Sequence, residues 1–492
     1  MRIIWTGQDK SIGALVLRVD AEVLVAPGLK MLRMHLSADG ELHTLCLVDF
    51  DAGGRWEPVL DYLNREHPLV PVGLVSRSED RAAAFVLLRA RRVDRVIPQG
   101  DLDDGLDAHI EALAAHGRCL AQLRAVLHTF EGVTFLVTGA TGFLGGHFVR
   151  YLLRCSGARV VALTRATPLE AHDQRLAHLE RLHPGRIQYV EGDVRTPGLG
   201  IDAAQRAWMS REVDAIWHFA ADTRFEAILR DELFCANEAG TRNMVQFAQS
   251  LQRLRHFHHV STAYVAGDGR GGHMVPEMAL DRPSAFKNPY EASKFAAERI
   301  VADSGLPATI YRPSIILGER VSGLCDGQTV YKVAQLLRLA LLSAQRSRTA
   351  AARTFRVVVD PETTKNLIPA DDVVCPMLML AARETGPGRY HHLTHPEPTL
   401  MADLIAVMAG VLDIPEYEAV STLEGAILSP AEAVLQRISG VFKPYMLNSD
   451  PAFARCGAGG VAPVKQADLR FLLQSFFEQH YGWEFQPLAV GV

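Results

Sequence analysis

Apolar positions along this chain fall in short runs separated by longer amphipathic stretches. VTFLVTG (133–139), RVVALTR (159–165), IQYVEGDV (187–194), VDAIWHFA (213–220), HFHHVST (256–262) and PATIYRP (307–313) are rich in β-branched residues. Near-continuous apolar runs of this length mark strands buried on both faces. Helical patterns lie between them, as at 225–251. Six strands with helical crossovers predict an α/β fold: a doubly wound parallel sheet of the Rossmann kind. Upstream, MRIIW (1–5), LHTLCLVDF (42–50), VPVGLV (70–75) and VDRVIP (93–98) alternate with helical patterns at 56–67, 80–92 and 102–129. That alternation predicts a separate small α/β domain of flavodoxin-like type. The expected units are 1–125, 131–375 with an insertion near 318–360, and 376–492 as a smaller C-terminal substrate lobe and tail.

Composition adds exclusions. Net charge is −5, from 51 basic and 56 acidic residues, so nothing pulls the chain toward nucleic acid. Seven scattered cysteines include no CxxC pair, which argues against a metal site and for a reducing compartment. No signal-peptide pattern opens the chain, and no apolar run reaches about 18 residues. A cytoplasmic location is the expectation.

Candidate chemistry begins where the 133–138 strand runs into Gly139-Ala-Thr141-Gly142-Phe143-Leu144-Gly145 and then an apolar helix. A glycine loop between strand and helix suits a dinucleotide pyrophosphate. Gly139 permits the tight turn, Gly142 the close approach of backbone N–H groups, and Gly145 the packing of helix on sheet. The spacing GxxGxxG departs from the simpler GxGxxG. The next strand ends without the acidic residue that would bind a ribose 2′-hydroxyl. Arg165 stands there, and a guanidinium matches a 2′-phosphate, which points to NADP.

A second constellation is Tyr290-Glu-Ala-Ser-Lys294, after Asn288-Pro289. A spacing of four places Tyr290 and Lys294 on one helical face. An ammonium beside the phenol is expected to favour phenolate and lower its pKa from about 10. Ser261-Thr262, closing the 256–262 run, supplies a hydroxyl that can hydrogen-bond a substrate carbonyl.

Together TGATGFLG, Gly192-Asp193-Val194, His218-Phe-Ala-Ala221, Asn237-Glu-Ala-Gly-Thr241, VSTAYVAG, YEASK and Tyr311-Arg-Pro-Ser314 resemble the extended short-chain dehydrogenase/reductase superfamily over 134 to about 375. The resemblance implies an oxidoreductase in which Thr262, Tyr290 and Lys294 are catalytic. Asp193 would contact adenine, with Val194 beside it. Ala220 and Ala221 would line the cofactor, and Pro313 would lie near the nicotinamide. His218 reads as a strand-end histidine satisfied by backbone. Asn237 reads equally as a packing residue or as one that orients water and Lys294.

STAYV (261–265), RPSIILGE (312–319), Lys365-Asn-Leu-Ile-Pro-Ala-Asp371 and FKPYMLNSD (442–450) resemble fatty acyl-CoA reductases and the thioester-reductase domains of carboxylic acid reductases. The implied reaction is NADPH-dependent reduction of a fatty acyl thioester, on coenzyme A or an acyl carrier protein, to an aldehyde or further to an alcohol. The alternatives are a nucleotide-sugar epimerase or dehydratase, a hydroxysteroid-type dehydrogenase, or a redox-sensing regulatory protein with little turnover. The basic helical pattern at 331–348 has three readings: a landing site for a carrier or coenzyme A phosphates, a peripheral membrane contact, or an ordinary lobe helix. The strand order of residues 1–125 resembles a response-regulator receiver, with Asp49 or Asp51 as the third-strand acid and Ser76 as the hydroxyl. The first-strand acid cluster and the fifth-strand Lys are missing, so this unit reads as a degenerate scaffold or a homodimerisation unit.

Overall fold

The computed structural model describes residues 1–6, 22–26, 29–39, 44–50, 56–77, 80–102, 105–165, 179–267, 274–281, 283, 285–325, 329–346, 355–383, 388–414, 417–455 and 463–481. Asp51 lies outside the described residues.

Strands β1 (Arg2–Trp5), β2 (Glu22–Val25), β3 (Thr44–Asp49), β4 (Val72–Ser76) and β5 (Arg95–Pro98) form a parallel sheet in the order β2-β1-β3-β4-β5. This is the flavodoxin-like order. Helices α1 (Leu29–Asp39), α2 (Trp56–Glu66), α3 (Arg81–Arg89) and α4 (Leu106–Leu127) accompany it. β2 and α1 add to the elements that the sequence predicts here. Asp49 and Ser76 close β3 and β4, both buried.

The second sheet has seven parallel strands, not six. They are β6 (Thr134–Thr138), β7 (Arg159–Thr164), β8 (Ile187–Glu191), β9 (Ala215–His218), β10 (His256–Val260), β11 (Ala308–Pro313) and β12 (Arg389–Leu393), in the order β12-β11-β10-β9-β6-β7-β8. The added strand, RYHHL, carries two histidines where β-branched residues would have signalled it. Crossovers use α5 (Phe143–Cys155), α6 (Ala203–Glu212), α7 (Arg230–Phe234), α8 (Gly240–Gln249) and α9 (Pro289–Ala302). Order reverses between β6 and β9, so the loops that leave their C-terminal ends part and open a crevice.

A lobe follows, with α10 (Val330–Arg346), α12 (Met401–Val411), α13 (Pro430–Ile438), α14 (Lys443–Met446) and α15 (Gln466–Tyr481), while α11 (Ala370–Arg383) packs in the core of the seven-stranded sheet and leads to β12. The lobe's core joins Tyr331, Leu337, Met408, Phe476 and Phe477. α10 is therefore a core helix of the lobe. Among its described basic side chains, Lys332 is exposed and Arg338 lies 4.3 Å over the Tyr481 ring. No helix among the described residues is long and apolar enough to cross a membrane.

The two sheets share structure. Leu106, Ile110 and Leu113 of α4 pack with Trp5 and Ile97, while Leu120, Leu123 and Leu127 pack with Phe148, Leu152 and Leu378. The segment opening the expected substrate insertion also turns toward the N-terminal sheet. Its Val321 and Leu324 are buried in that sheet's two cores.

Candidate active site

β6 ends at Thr138, and the chain turns at Gly139 with φ +70°. A Cβ there would lie 2.8 Å from the Ala220 nitrogen, on the loop leaving β9. Only glycine meets both the left-handed conformation and that close approach. Gly142 caps α5 and donates to the Gly139 carbonyl at 2.9 Å. A Cβ on Gly145 would fall on that same carbonyl oxygen. Thr141 and Phe143 lie in the turn, with the Phe143 ring edge-on to His147 at 4.7 Å, and Leu144 packs on the core. First-turn N–H groups of a 13-residue helix, framed by a loop that leaves no room for side chains, fit a dinucleotide pyrophosphate.

Beyond β7 and β8 lies a cleft of about 550 Å³ lined by Arg165, Gly192, Asp193, Arg195 and Gln205. Arg165 is exposed at the end of β7. The Asp193 carboxylate accepts from Arg195 Nη2 at 2.6 Å and Nε at 2.9 Å. That pairing, with Arg165 adding to it, holds its carboxyl below the usual range. The Val194 carbonyl accepts from Asn243 at 2.8 Å. Sequence reading missed Arg195, although it stands two residues after the aspartate of the Gly-Asp-Val motif.

Across the crevice, His218 is buried between two hydroxyls, Nδ1 to Thr138 at 2.8 Å and Nε2 to Thr241 at 3.2 Å. Burial and the Lys294 charge push it down to about 3, so it is a neutral structural residue. Its partners are side chains, where the sequence suggested backbone. Ala220 donates its N–H to Thr138 Oγ1 at 3.1 Å, and Ala221 follows it in the crevice loop.

Asn288 accepts from the Glu291 N–H at 3.0 Å and Pro289 follows it, so α9 starts on a strong N-cap. Lys294 is buried and donates to the Val260 carbonyl at 2.8 Å. Burial pushes its ammonium down to about 8, with Glu298 opposing. Tyr290 is partly buried, with the Thr262 hydroxyl near enough to its phenol to favour the phenolate. Thr262 Oγ1 donates to the Pro313 carbonyl at 3.4 Å. The neighbouring Ser261 hydroxyl has no hydrogen-bond partner among the described residues.

One expectation is corrected here. Burial pushes the Tyr290 phenol above its usual value, and the Glu291 carboxyl adds to the rise; only the Thr262 hydroxyl opposes them. The Lys294 ammonium does not reverse this, because it is buried and turned to the Val260 carbonyl.

Asn237 lies in a π-helical turn, Cys235–Ala239, a type of distortion common at functional sites. Its amide donates to Ser293 Oγ at 2.9 Å and to the Asp222 carbonyl at 2.8 Å. Ser293 in turn donates to the Tyr290 carbonyl at 2.8 Å. Asn237 thus ties the crevice loop to α9.

Residues 137–375 match the family model described as Male sterility protein, an NAD-binding family. An isonitrile lipopeptide synthase of Streptomyces coeruleorubidus is 35% identical over 201 residues, 38% of this chain and 13% of that protein. The fatty acyl-CoA reductase wat of Drosophila melanogaster is 29% identical over 231 residues, 39% of this chain and 44% of that protein. The match thus spans less than half the length of either relative. The crystal structure of the terminal R domain from the myxalamid PKS-NRPS pathway aligns with a TM-score of 0.57 at 22% identity, covering 74% of this chain and 98% of that one. Residues 137–375 thus match an NAD-binding family, on a sheet with the fold of the extended short-chain dehydrogenase/reductases.

Proposed function

We propose that this protein reduces an acyl thioester to an aldehyde with NADPH, with Tyr290 as proton donor. The observation that carries the reading is the Thr262–Tyr290 hydroxyl pair at the mouth of the crevice, beside buried Lys294. The substrate class is supported by the relatives: a reductase named for acyl-CoA, a lipopeptide synthase, and a terminal R domain from a PKS-NRPS biosynthetic pathway. The FKPYMLNSD segment beside Tyr290 supports it from this chain's own residues.

When bound, the reduced nicotinamide supplies the hydride that the carbonyl carbon receives. Thr262 and Tyr290 then act on the carbonyl oxygen, donating hydrogen bonds as negative charge develops there. Tyr290 gives up its proton to that oxygen. The raised pKa of its phenol keeps that proton in place at neutral pH. Lys294 stabilises the resulting phenolate and holds the nicotinamide ribose. The hemithioacetal collapses to aldehyde and thiol.

Selectivity for NADPH rests on Arg165, with Arg195 as a second cation in the same cleft. A charge-assisted hydrogen bond contributes about 1.5–3 kcal/mol. Arg165→Ala is therefore expected to raise KM for NADPH by about tenfold or more while leaving that for NADH unchanged. Equal effects on both cofactors in steady-state kinetics would remove Arg165 from the 2′-phosphate.

The pH profile follows from Lys294, which faces Glu298, His218 and His259 as well as Tyr290's helix turn. Its charge is present below about 8 and lost above it. The kcat for reduction is expected to fall as pH rises through that value; a flat profile to the alkaline side would contradict a charged Lys294 in the reaction.

Purified protein mixed with NADPH and a panel of acyl-CoAs tests the function directly through absorbance of the reduced cofactor. Turnover with a sterol or a sugar nucleotide, and none with any acyl thioester, would replace this reading with a rival.

A further inference from the structure

The segment 445–450 of the C-terminal lobe touches both strips of chain that carry the reacting hydroxyls. At one end, the Tyr445 phenol donates to the Glu291 carboxylate at 2.5 Å and accepts from Asn288 Nδ2 at 2.7 Å. Those two residues are the N-cap and first turn of α9, on either side of Tyr290. At the other end, the Asp450 carboxylate accepts from the Tyr264 phenol at 2.6 Å, and Tyr264 sits two residues from Thr262. Lys365 Nζ and the Asn366 N–H hold the same carboxylate at 2.8 and 2.9 Å. Lys365 also donates to the Asn448 carbonyl at 2.6 Å, which fixes the chain between the two ends.

Rings complete the joint. Tyr445 stacks on Phe225 at 5.5 Å, and Phe225 lies 5.8 Å from the Tyr290 ring. Tyr445 and Tyr264 meet edge to face at 5.7 Å. The Lys287 ammonium, buried and without a hydrogen bond among the described residues, lies 4.9 and 5.2 Å over those two rings.

We infer that segment 445–450 is a positioning brace: it sets the spacing between Thr262 and Tyr290, so that the reacting pair is incomplete without the C-terminal lobe. The physical reason is the one-to-one division of its contacts. α9 and the 262–267 loop lie in one connection, from β10 to β11, with a long stretch of chain between them, and segment 445–450 adds to the Lys294–Val260 hydrogen bond a second tie that holds one against the other. Tyr445 holds the first and Asp450 the second, only five residues apart along one chain. A reaction that needs both hydroxyls on one oxygen is sensitive to displacements of about 1 Å. Glu291, Tyr445, Tyr264 and Asp450 are positioning residues in this account. The inference rests on the proposed role of Thr262 and Tyr290.

Tyr445→Phe tests it, because the ring and its stacking stay and only the hydroxyl goes. The expected result is a fall in kcat of about tenfold or more with KM for NADPH unchanged. Hydrogen–deuterium exchange of the full chain should rise in peptides covering 262–267 and 288–293 and stay at the wild-type rate in 139–146. Tyr264→Phe, which releases the other end, should raise exchange in 262–267. Wild-type exchange in both peptides of Tyr445→Phe would overturn the brace. So would a rise shared equally by 139–146, since that reports general loosening. Exchange needs no substrate. If wild-type protein fails to oxidise NADPH with acyl thioesters, the proposed function falls while exchange still decides the brace.

Discussion

Tyr290→Phe is expected to lower kcat by about 10²–10⁴-fold, the usual contribution of a placed general acid, with KM for NADPH little changed. The substitution keeps the ring against Phe225 at 5.8 Å and removes only the hydroxyl that faces Thr262. The nearby histidines are poor substitutes. His218 has both nitrogens bound to hydroxyls, and burial with the Lys294 charge keeps His259 far below its ordinary value and neutral. Steady-state kinetics on the purified variant decide the matter. A kcat within about threefold of wild type would place the proton donor elsewhere.

The second large effect concerns stability. Glu319→Ala is expected to cost about 3–5 kcal/mol, the usual penalty for breaking a buried ion pair by removing one partner. Glu319 is fully buried and accepts from Arg150 at 3.0 Å, Tyr151 at 2.9 Å, Arg91 at 3.3 Å and Ser322 at 2.5 Å. Arg150 also reaches Asp94 at 2.5 Å, and Asp94 takes Arg154 at 2.6 Å. These residues come from the N-terminal sheet, from α5 and from the segment after β11. Removing one carboxylate strands several buried donors at once. Burial alone would raise the Glu319 carboxyl, but Arg150, His147 and Arg91 outweigh it and hold it well below the usual range. Its stabilisation is thus present above the unfolded value of about 4.3 and lost as pH falls through the lower folded value. Denaturant midpoints of wild type and variant at neutral pH measure the effect, and a difference under about 1 kcal/mol would contradict it.

Local features of this molecule were legible in the sequence; features built from distant segments were not. The glycine loop, the cap at Asn288-Pro289 and the Tyr290–Lys294 spacing depend on neighbours in the chain, and each lies in the fold where periodicity and turn chemistry put it. Strand β12 was missed because its two histidines hide an apolar pattern. The rise in the Tyr290 pKa was missed because it depends on burial and on Glu291, neither visible in a four-residue spacing. Tyr445 reaches Glu291 across 154 positions, and Arg150 reaches Glu319 across 169. No period or motif marks such pairs. FKPYMLNSD stood out only by resemblance, and its contacts with Asn288, Glu291 and Tyr264 supply a physical reason for that segment to lie where it does.

The most direct test of the central claim is stoichiometric. Wild-type protein, NADPH and a limiting long-chain acyl-CoA are incubated with an aldehyde trap, and oxidised cofactor, free thiol and trapped aldehyde are counted together. Thioester reduction by this chain predicts the three in equal amounts, with all three lost in Tyr290→Phe. Cofactor oxidation without thiol release, or thiol release without cofactor oxidation, would contradict it.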